Sequence, residues 1–213
     1  MKTLANKFAK PQAGYSLVEL SVALAIVAVI LVGGLMGTRQ ILLTNNVNNQ
    51  LKDAAQVIAK VTRQFQNAVD TSKASNENLV PLSYWPKERF TNSVNRSGVF
   101  TGEVRGVIPG SYEYIFSNAE KIGVLEPNKG LLYTFYGVPA SACADLVAGL
   151  DNLSFAIYAG KSTGTKPTTG NTPSGETMFE VKTADSNTFD ATNLGKACSS
   201  TFSNVDITAV IRM

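Results

Sequence analysis

The stretch Leu20-Ser-Val-Ala-Leu-Ala-Ile-Val-Ala-Val-Ile-Leu-Val-Gly-Gly-Leu-Met36 decides the fold, because the hydroxyl of Ser21 is its only polar side chain. The 22 residues from Tyr15 to Met36 would span about 33 Å as an α-helix. That length matches the hydrocarbon core of a bilayer, about 30 Å. The run is too long for the apolar region of a secretory signal peptide, and no small-residue cleavage site follows it. We therefore expect residues 15–37 to form a membrane-embedded helix half.

A basic leader precedes this apolar run. Lys2, Lys7 and Lys10 give residues 1–14 a charge of +3 without any acidic residue. The whole chain is also +3, from 19 basic and 16 acidic side chains, so the remainder has 16 of each and is formally neutral. Once the leader is removed, no strong attraction to a polyanion remains, which argues against nucleic acid as a partner.

Glu19 is the unusual residue of this segment, because it places a carboxylate inside the N-terminal edge of the apolar run. A charged side chain in the membrane costs on the order of several kcal/mol unless it is paired or reaches the interface. Glu19 lies close to one end of the run, so reaching the interface explains it as well as pairing does. Taken alone, the residue leaves both explanations open.

The sequence Gly14-Tyr-Ser-Leu-Val-Glu19-Leu20, after a basic leader and before an apolar helix, resembles the prepilin-peptidase signature of the type IV prepilins. The resemblance implies that prepilin peptidase cuts after Gly14 and leaves the apolar helix attached. It also implies that the new N-terminus at Tyr15 is N-methylated and that Glu19 is an assembly residue. Tyr15 departs from the family, whose members usually carry Phe, Met, Leu or Val at this position.

The physical chemistry of Glu19 agrees with this role. Cleavage after Gly14 would create a positive amine at Tyr15. In a bilayer or a dry fibre core, that amine and the carboxylate each need a partner, and the amine of a neighbouring subunit would satisfy both. Such a pair would also set the axial register between subunits.

The second half of the helix has an amphipathic pattern. Apolar residues recur at alternating spacings of four and three, which is a heptad seam on an otherwise polar helix; they are Val47, Leu51, Ala54, Ile58, Val61, Phe65 and Ala68. A coiled coil would explain the seam, but packing of residues 38–72 against the sheet of the head is the preferred interpretation. We expect the helix to end near residues 70–75.

Gly33 and Gly37 suit either close helix packing in the membrane or a point where the helix kinks or melts.

Residues 73–213 are expected to form one globular head, which gives the chain an α+β fold: a long N-terminal helix packed on an antiparallel β-sheet. Trp85 and Phe90 would anchor a loop-rich segment on the core. The 159–175 segment is predicted to be an exposed, mobile loop, since it lacks apolar anchors. Segments rich in aromatic and β-branched residues predict strands at 111–116, 131–138, 153–158 and 205–212.

Two cysteines, Cys143 and Cys198, lie in this head. In an exported chain they indicate one disulfide, with two free buried thiols as the alternative. Cys143 shares one face of a predicted helix after Pro139 with apolar residues at helical spacing, namely Leu146, Val147 and Leu150. A cysteine in a helix, followed by a second one shortly before a C-terminal strand, resembles the type IVb pilins, in which residues 143–198 would be the variable disulfide-bounded region.

The sequence gives no support for catalysis. It contains no histidine, the commonest general base and metal ligand, and no cofactor motif, so we expect no enzyme activity, cofactor, metal or small-molecule substrate. The resemblance implies a pilin subunit that lies in the bacterial inner membrane before assembly and in an extracellular pilus afterwards, with adhesion, aggregation, conjugation or DNA uptake as its use. A minor pilin or a type II secretion pseudopilin is the alternative, and a membrane-anchored periplasmic enzyme is the weakest one.

Overall fold

A computed structural model describes residues 16–66, 71–91, 103–164, 170–184 and 188–213. The chain divides into two compact units, Met1–Leu42 and Leu43–Met213. The described part of the first unit is helical from Leu17 onwards, and the second unit contains the rest of that helix and the whole of the head.

Helix α1 spans Leu17–Phe65, 49 residues, which confirms the predicted long N-terminal helix. It ends at Phe65, earlier than the expected end near residues 70–75. The hydroxyl of Thr71 donates to the carbonyl of Gly130 at 2.8 Å, which fixes this part of the chain beside the sheet. Thr71 is non-helical, so the helix does not continue into residues 71–75, the later part of the range in which we expected its end.

The face of α1 that packs on the head follows the predicted stripe with a shift. The buried members of the stripe are Val47, Ala54 and Val61, and the partly buried members at its edge are Leu51, Ile58 and Phe65. Two residues outside the predicted stripe, Gln50 and Val57, are also buried. The centre of the face therefore runs along positions 47, 50, 54, 57 and 61, whereas position 68 lies outside the described residues.

A six-stranded antiparallel sheet forms the head in the described part of the chain, in the order β1-β2-β3-β6-β4-β5. The strands are β1 Val104–Arg105, β2 Tyr112–Ser117, β3 Gly130–Pro139, β4 Ala156–Lys161, β5 Met178–Lys182 and β6 Asn204–Arg212. Strands β2, β3 and β6 lie where the sequence predicted strands, β4 begins later than predicted, and the sequence analysis missed β1 and β5.

Apolar side chains cover both faces of this sheet. The larger cluster packs between the sheet and α1 and includes Tyr133, Phe135 and Ile207. A smaller cluster combines other positions of the strands with residues of neighbouring loops. It consists of Leu132, Ala156 and Val210 on the strands and of Ile122, Leu125 and Ala184 outside them. Because residues of β6 contribute to both clusters, every residue from Val205 to Ile211 is buried, and β6 is the central strand of the head.

Three shorter α-helices complete the described head: α2 Asn76–Leu79, α3 Ala140–Leu150 and α4 Ala191–Ala197. Helix α3 confirms the predicted helix, and its buried residues include the four that were expected to share one face. A 3₁₀ turn at Asp151–Leu153 follows α3, and the hydroxyl of Ser154 donates to the carbonyl of Leu150 at 2.9 Å. The chain thus continues the helix by one turn, which explains why β4 starts at Ala156 rather than at residue 153.

Helix α3 also approaches α1 closely. A Cβ atom at Gly149 would stand 2.2 Å from Cδ1 of Leu51, so a larger residue there would force the side chain of Leu51 to move. The absence of a side chain at Gly149 thus leaves room for Leu51 of α1 beside α3. Trp85 and Phe90 lie against the same core, fully and partly buried, as the sequence analysis expected of two loop anchors.

The described parts of the 159–175 segment are not an unanchored loop. Residues 159–161 belong to β4, and the carbonyl of Gly170 accepts a hydrogen bond from the N–H of Ala119 at 2.7 Å. The carboxylate of Glu120 accepts from the N–H of Thr172 at 2.6 Å. The prediction of a loop is wrong for residues 159–161, which belong to a strand. Residues 162–164 and 171–175 lie outside helices and strands and are exposed or half-buried, and polar backbone contacts hold Gly170 and Thr172. Residues 165–169 lie outside the described ranges.

Cys143 and Cys198 form a disulfide with 5.5 Å between their Cα atoms, which confirms the predicted pair. Cys143 is fully buried on α3, and Cys198 directly follows α4. The bond joins two helices that are 55 residues apart in the sequence, and it lies beside the start of the central strand β6.

We expect loss of this disulfide to lower the free energy of unfolding of the head by about 4 kcal/mol, the chain-entropy value for a loop of this size. Denaturant unfolding of the detergent-solubilised chain should show this for the double variant Cys143→Ser/Cys198→Ser. Wild-type protein unfolded with and without a reductant is the control and should show a similar difference. Two freely alkylatable thiols in the exported protein would contradict the pairing.

Candidate assembly site

Glu19 lies in the first turn of α1 and is exposed. The helix begins just before it, where the N–H of Leu20 donates to the carbonyl of Ser16 at 3.1 Å. An acidic side chain in the first turn interacts favourably with the positive end of the helix dipole, but among the described residues Glu19 forms no ion pair. The predicted cleavage and methylation residues, Gly14 and Tyr15, lie outside the described part of the chain.

The apolar surface around Glu19 extends over the first half of α1. Its most apolar window of 18 residues has a mean hydropathy of 2.6, and none of that window is buried. A core helix of a soluble protein would pass the same test of length and composition, but it would be covered by other elements. The helix is therefore long and apolar enough to cross a membrane, and within the described residues nothing covers this segment.

Three glycines lie in this segment, and α1 continues through all of them without a break. A Cβ atom at Gly33, Gly34 or Gly37 would meet no other atom within 4 Å. In the isolated chain these positions therefore form an open strip of backbone along the helix. Small residues of this kind let another helix approach closely, and the helical assignment is continuous through them, without the local melting that was the alternative.

A second carboxylate, Glu113 on β2, holds the other half of α1 to the sheet. It is fully buried, and its oxygens accept from the side-chain amide of Gln50 at 2.5 Å and the indole N–H of Trp85 at 2.7 Å. The hydroxyl of Tyr133 also donates to it. Burial raises the pKa of that hydroxyl, which keeps it protonated and able to donate. We call Glu113 and the residues that contact its carboxylate the buried anchor.

Arg89 supplies the positive charge of the buried anchor. Its guanidinium forms an ion pair with Glu113 and a second one with Asp53 on α1, at 3.0 Å, and its Nε donates to the carbonyl of Arg105 at 2.6 Å. Burial lowers the pKa of Arg89, and the nearby Tyr133 and Asp53 oppose that shift. An arginine stays charged through such a shift, so a cation lies between two carboxylates from different elements.

Gln50 explains the shift of the buried face of α1. Its amide N–H donates to Glu113, and its Oε1 accepts from the backbone N–H of Val107 at 2.5 Å and of Ile108 at 3.4 Å. A buried amide is tolerated when both ends are hydrogen-bonded. The sequence analysis missed this residue because an apolar pattern excludes glutamine. The signal that could have found it is a glutamine at the spacing of the buried face.

The disulfide is the remaining predicted site feature, and it lies in the head beside α3 and α4. In the described ranges, no group of three or more His, Cys, Asp or Glu side chains could hold a metal ion. The described residues offer pairing and packing: an exposed apolar part of α1 with one acid that forms no ion pair, and a buried polar cluster that holds the later part of α1 to the sheet.

We expect Glu113→Gln to lower the free energy of unfolding by about 3–5 kcal/mol, since the buried Arg89 would lose its fully buried counter-charge and keep only the partly exposed carboxylate of Asp53. Denaturant unfolding of the full chain is the measurement. The matched control is Glu126→Gln, which breaks the exposed pair with Lys121, at 60% and 59% side-chain exposure; it should cost no more than about 1 kcal/mol. Equal losses for the two variants would show that the anchor does not hold the head together.

Comparison with known proteins gives one sequence match and two similar structures. Residues 9–35 match the prokaryotic N-terminal methylation motif. A crystal structure of a type IV b pilin from Salmonella typhi aligns with a TM-score of 0.48 and 14% identity, over 78% of this chain and 99% of that one. A crystal structure of TcpA, a type IV pilin from the Vibrio cholerae El Tor biotype, aligns with a TM-score of 0.47 and 16% identity, over 76% of this chain and 98% of that one. No curated protein sequence matches the chain.

The motif covers the end of the basic leader, the predicted cleavage position, Glu19 and most of the apolar run. It lies where the sequence signature was identified, and it overlaps the exposed first part of α1, a helix that is long and apolar enough to cross a membrane. The methylation motif at residues 9–35 thus confirms the resemblance of this chain to the type IV prepilins.

Proposed function

We propose that the chain is a structural subunit of a type IV pilus, made as a prepilin, cleaved after Gly14 and polymerised through its N-terminal helix. The observation that carries the proposal is Glu19, a carboxylate that forms no ion pair among the described residues and lies within the methylation motif, on the exposed apolar part of α1. Prepilin peptidase is the processing partner, and other copies of the chain are the assembly partners. No catalytic step is required of any described residue.

The free energy of assembly supports an essential role for the polar pair. Before assembly, lipid tails surround the apolar helix, and they are as apolar as the side chains of neighbouring helices. Moving the helix from the bilayer to a fibre core therefore gains little hydrophobic free energy. Two favourable contributions to the free energy of assembly remain. They are close packing of helices, which the open glycine strip permits, and pairing of charged groups. Glu19 and the new amine at Tyr15 would supply such a pair in every copy.

The layout of the head supports assignment to the type IVb group. The disulfide joins a helix after a strand to the segment just before the C-terminal strand, as the resemblance implied. In this proposal residues 143–198 form the variable region, the chain lies in the bacterial inner membrane before assembly, and the filament is extracellular. Adhesion, aggregation, conjugation or DNA uptake is then the use of the filament. Dominance of the chain in sheared surface filaments would distinguish a major pilin from a minor pilin or pseudopilin.

Cleavage after Gly14 is directly testable, because the proposal names a single bond. N-terminal sequencing or intact mass spectrometry of the membrane-associated form should give a chain that begins at Tyr15 and carries an N-methyl group. Gly14→Ala is a mild control substitution, and Gly14→Trp should block processing. An intact Met1, or a cut beyond Gly34, would reject the proposed function.

Loss of the Glu19 charge should stop assembly while leaving the subunit intact. In Glu19→Val or Glu19→Gln the amine of a neighbouring copy would lose its partner in the fibre core, at a cost of about 3–5 kcal/mol per subunit. If Glu19 merely reached the interface, either change would be mild and Glu19→Val would favour membrane insertion. Electron microscopy of sheared filaments is the measurement.

The control for this variant is the state of the subunit itself. Glu19→Val protein should be present in the membrane at wild-type amounts, cleaved, and oxidised at Cys143 and Cys198. Glu77→Gln removes an exposed acid of the head and should leave filament numbers unchanged. Wild-type filament numbers from Glu19→Val would show that the carboxylate has no part in assembly.

A further inference from the structure

Two ionisable side chains lie in the described part of the apolar unit, Glu19 and Arg39. Both are exposed, and neither forms an ion pair among the described residues. We propose that Arg39 of one copy pairs with Glu19 of a second copy that is displaced by 20 residues along the helix axis. This inference rests on the proposed function, and it adds the cation and the axial offset that the assembly would use.

Arg39 cannot find a carboxylate partner on its own helix. Glu19 is 20 residues away, about 30 Å along a continuous helix at 1.5 Å per residue. The nearest acid on the other side is Asp53, which is 14 residues or about 21 Å away and already pairs with Arg89 at 3.0 Å. Residues 40–51 contain no charged side chain. A guanidinium stays charged at any physiological pH, so Arg39 requires either water or an acid from another molecule once helices pack around it.

The spacing of the two charges fixes the kind of contact. At 100° per residue, 20 residues rotate the side-chain direction by about 200°, so Glu19 and Arg39 point to nearly opposite sides of α1. One copy can therefore present Glu19 to one neighbour and Arg39 to a different neighbour. Such a contact joins two different surfaces, and contacts of this type build open helical filaments when they do not close into rings.

The pair is compatible with a role for the new N-terminal amine. A carboxylate has two oxygens and about four lone-pair sites, so it can accept from an ammonium and a guanidinium together. The amine would come from a copy that starts near Glu19, and the guanidinium from the copy displaced by about 30 Å. Each Glu19 would then fix two neighbours, which sets the axial position of both.

Cysteine cross-linking tests the offset. Val22 and Leu42 each follow one of the charged residues by three positions, which places them on the same helix faces as Glu19 and Arg39. They are exposed and too far apart on one helix to react with each other. In sheared filaments of Val22→Cys/Leu42→Cys, a thiol oxidant should give a ladder of dimers and higher multimers on a non-reducing gel.

A second cysteine pair is the matched control for that experiment. Val22→Cys/Leu35→Cys corresponds to an offset of 13 residues, about 20 Å, and both positions are exposed in the isolated chain. These filaments should stay monomeric on the gel. Absence of the ladder from the first pair, or an equal ladder from both, would overturn the proposed offset.

Substitution of Arg39 tests the charge separately from the geometry. Arg39→Gln should reduce surface filaments to about a tenth or less, which is one tenfold step in an equilibrium constant, while cleaved protein remains at wild-type amounts in the membrane. Arg39→Lys should keep most filaments, because the charge is retained. Arg63→Gln, an exposed arginine in the head half of α1, is the control and should assemble normally.

The two proposals fail in different ways. If Glu19→Val abolishes filaments and Arg39→Gln assembles like wild type, the carboxylate acts through the amine alone and the Arg39 pairing is wrong. If Glu19→Val itself assembles normally, the proposed assembly function is wrong, and the pairing falls with it. Loss of filaments in both variants, retention in Arg39→Lys and the ladder from the 20-residue pair together support the inference.

Discussion

A carboxylate that is removed from water must be surrounded by cations or hydrogen-bond donors, and this requirement organises the head around Glu113. Its oxygens contact side chains from α1, from the loop after α2 and from β3. Because the four donors come from three different elements, the acid fixes the relative positions of these elements as apolar contact could not. The buried half of α1 is thus held in one register on the sheet, although most of its buried residues are small.

The same requirement applies to Glu19, but no described residue of its own chain meets it. The exposed half of α1 has an apolar surface, an open glycine strip and one charge of each sign. Among the described residues, nothing packs on this surface and neither charge forms an ion pair. Apolar surfaces slide past one another with little change in free energy, whereas a charge in a dry environment has few acceptable positions. The charges, rather than the apolar area, would therefore decide which of many parallel arrangements of helices is stable.

The sequence was sufficient to predict features that depend on the pattern of apolar residues and cysteines. It was not sufficient where hydrogen bonds between polar groups distant in the sequence determine the structure. The long helix, the inward face of α3 and the central strand β6 follow from spacing and apolar content, and the disulfide from its cysteines and export. Gln50 was missed because a buried amide depends on Glu113, which is 63 residues away. Strand β5 was missed because its outer edge is completed by a backbone N–H of Asp190 and the side chain of Asn193, contacts that no local pattern reveals.

Charge neutrality adds a further argument for assembly by short-range contacts. From Tyr15 onwards the side chains carry 16 positive and 16 negative charges, so stacking many copies does not accumulate net charge and self-repulsion stays small. The same balance removes long-range attraction as a means of ordering the copies. Register must then come from contacts at hydrogen-bond distance, and the apolar helix offers two groups that can make them. The leader, with its three lysines, would upset this balance in every copy, which would give the proposed cleavage a physical reason in addition to the exposure of a new amine.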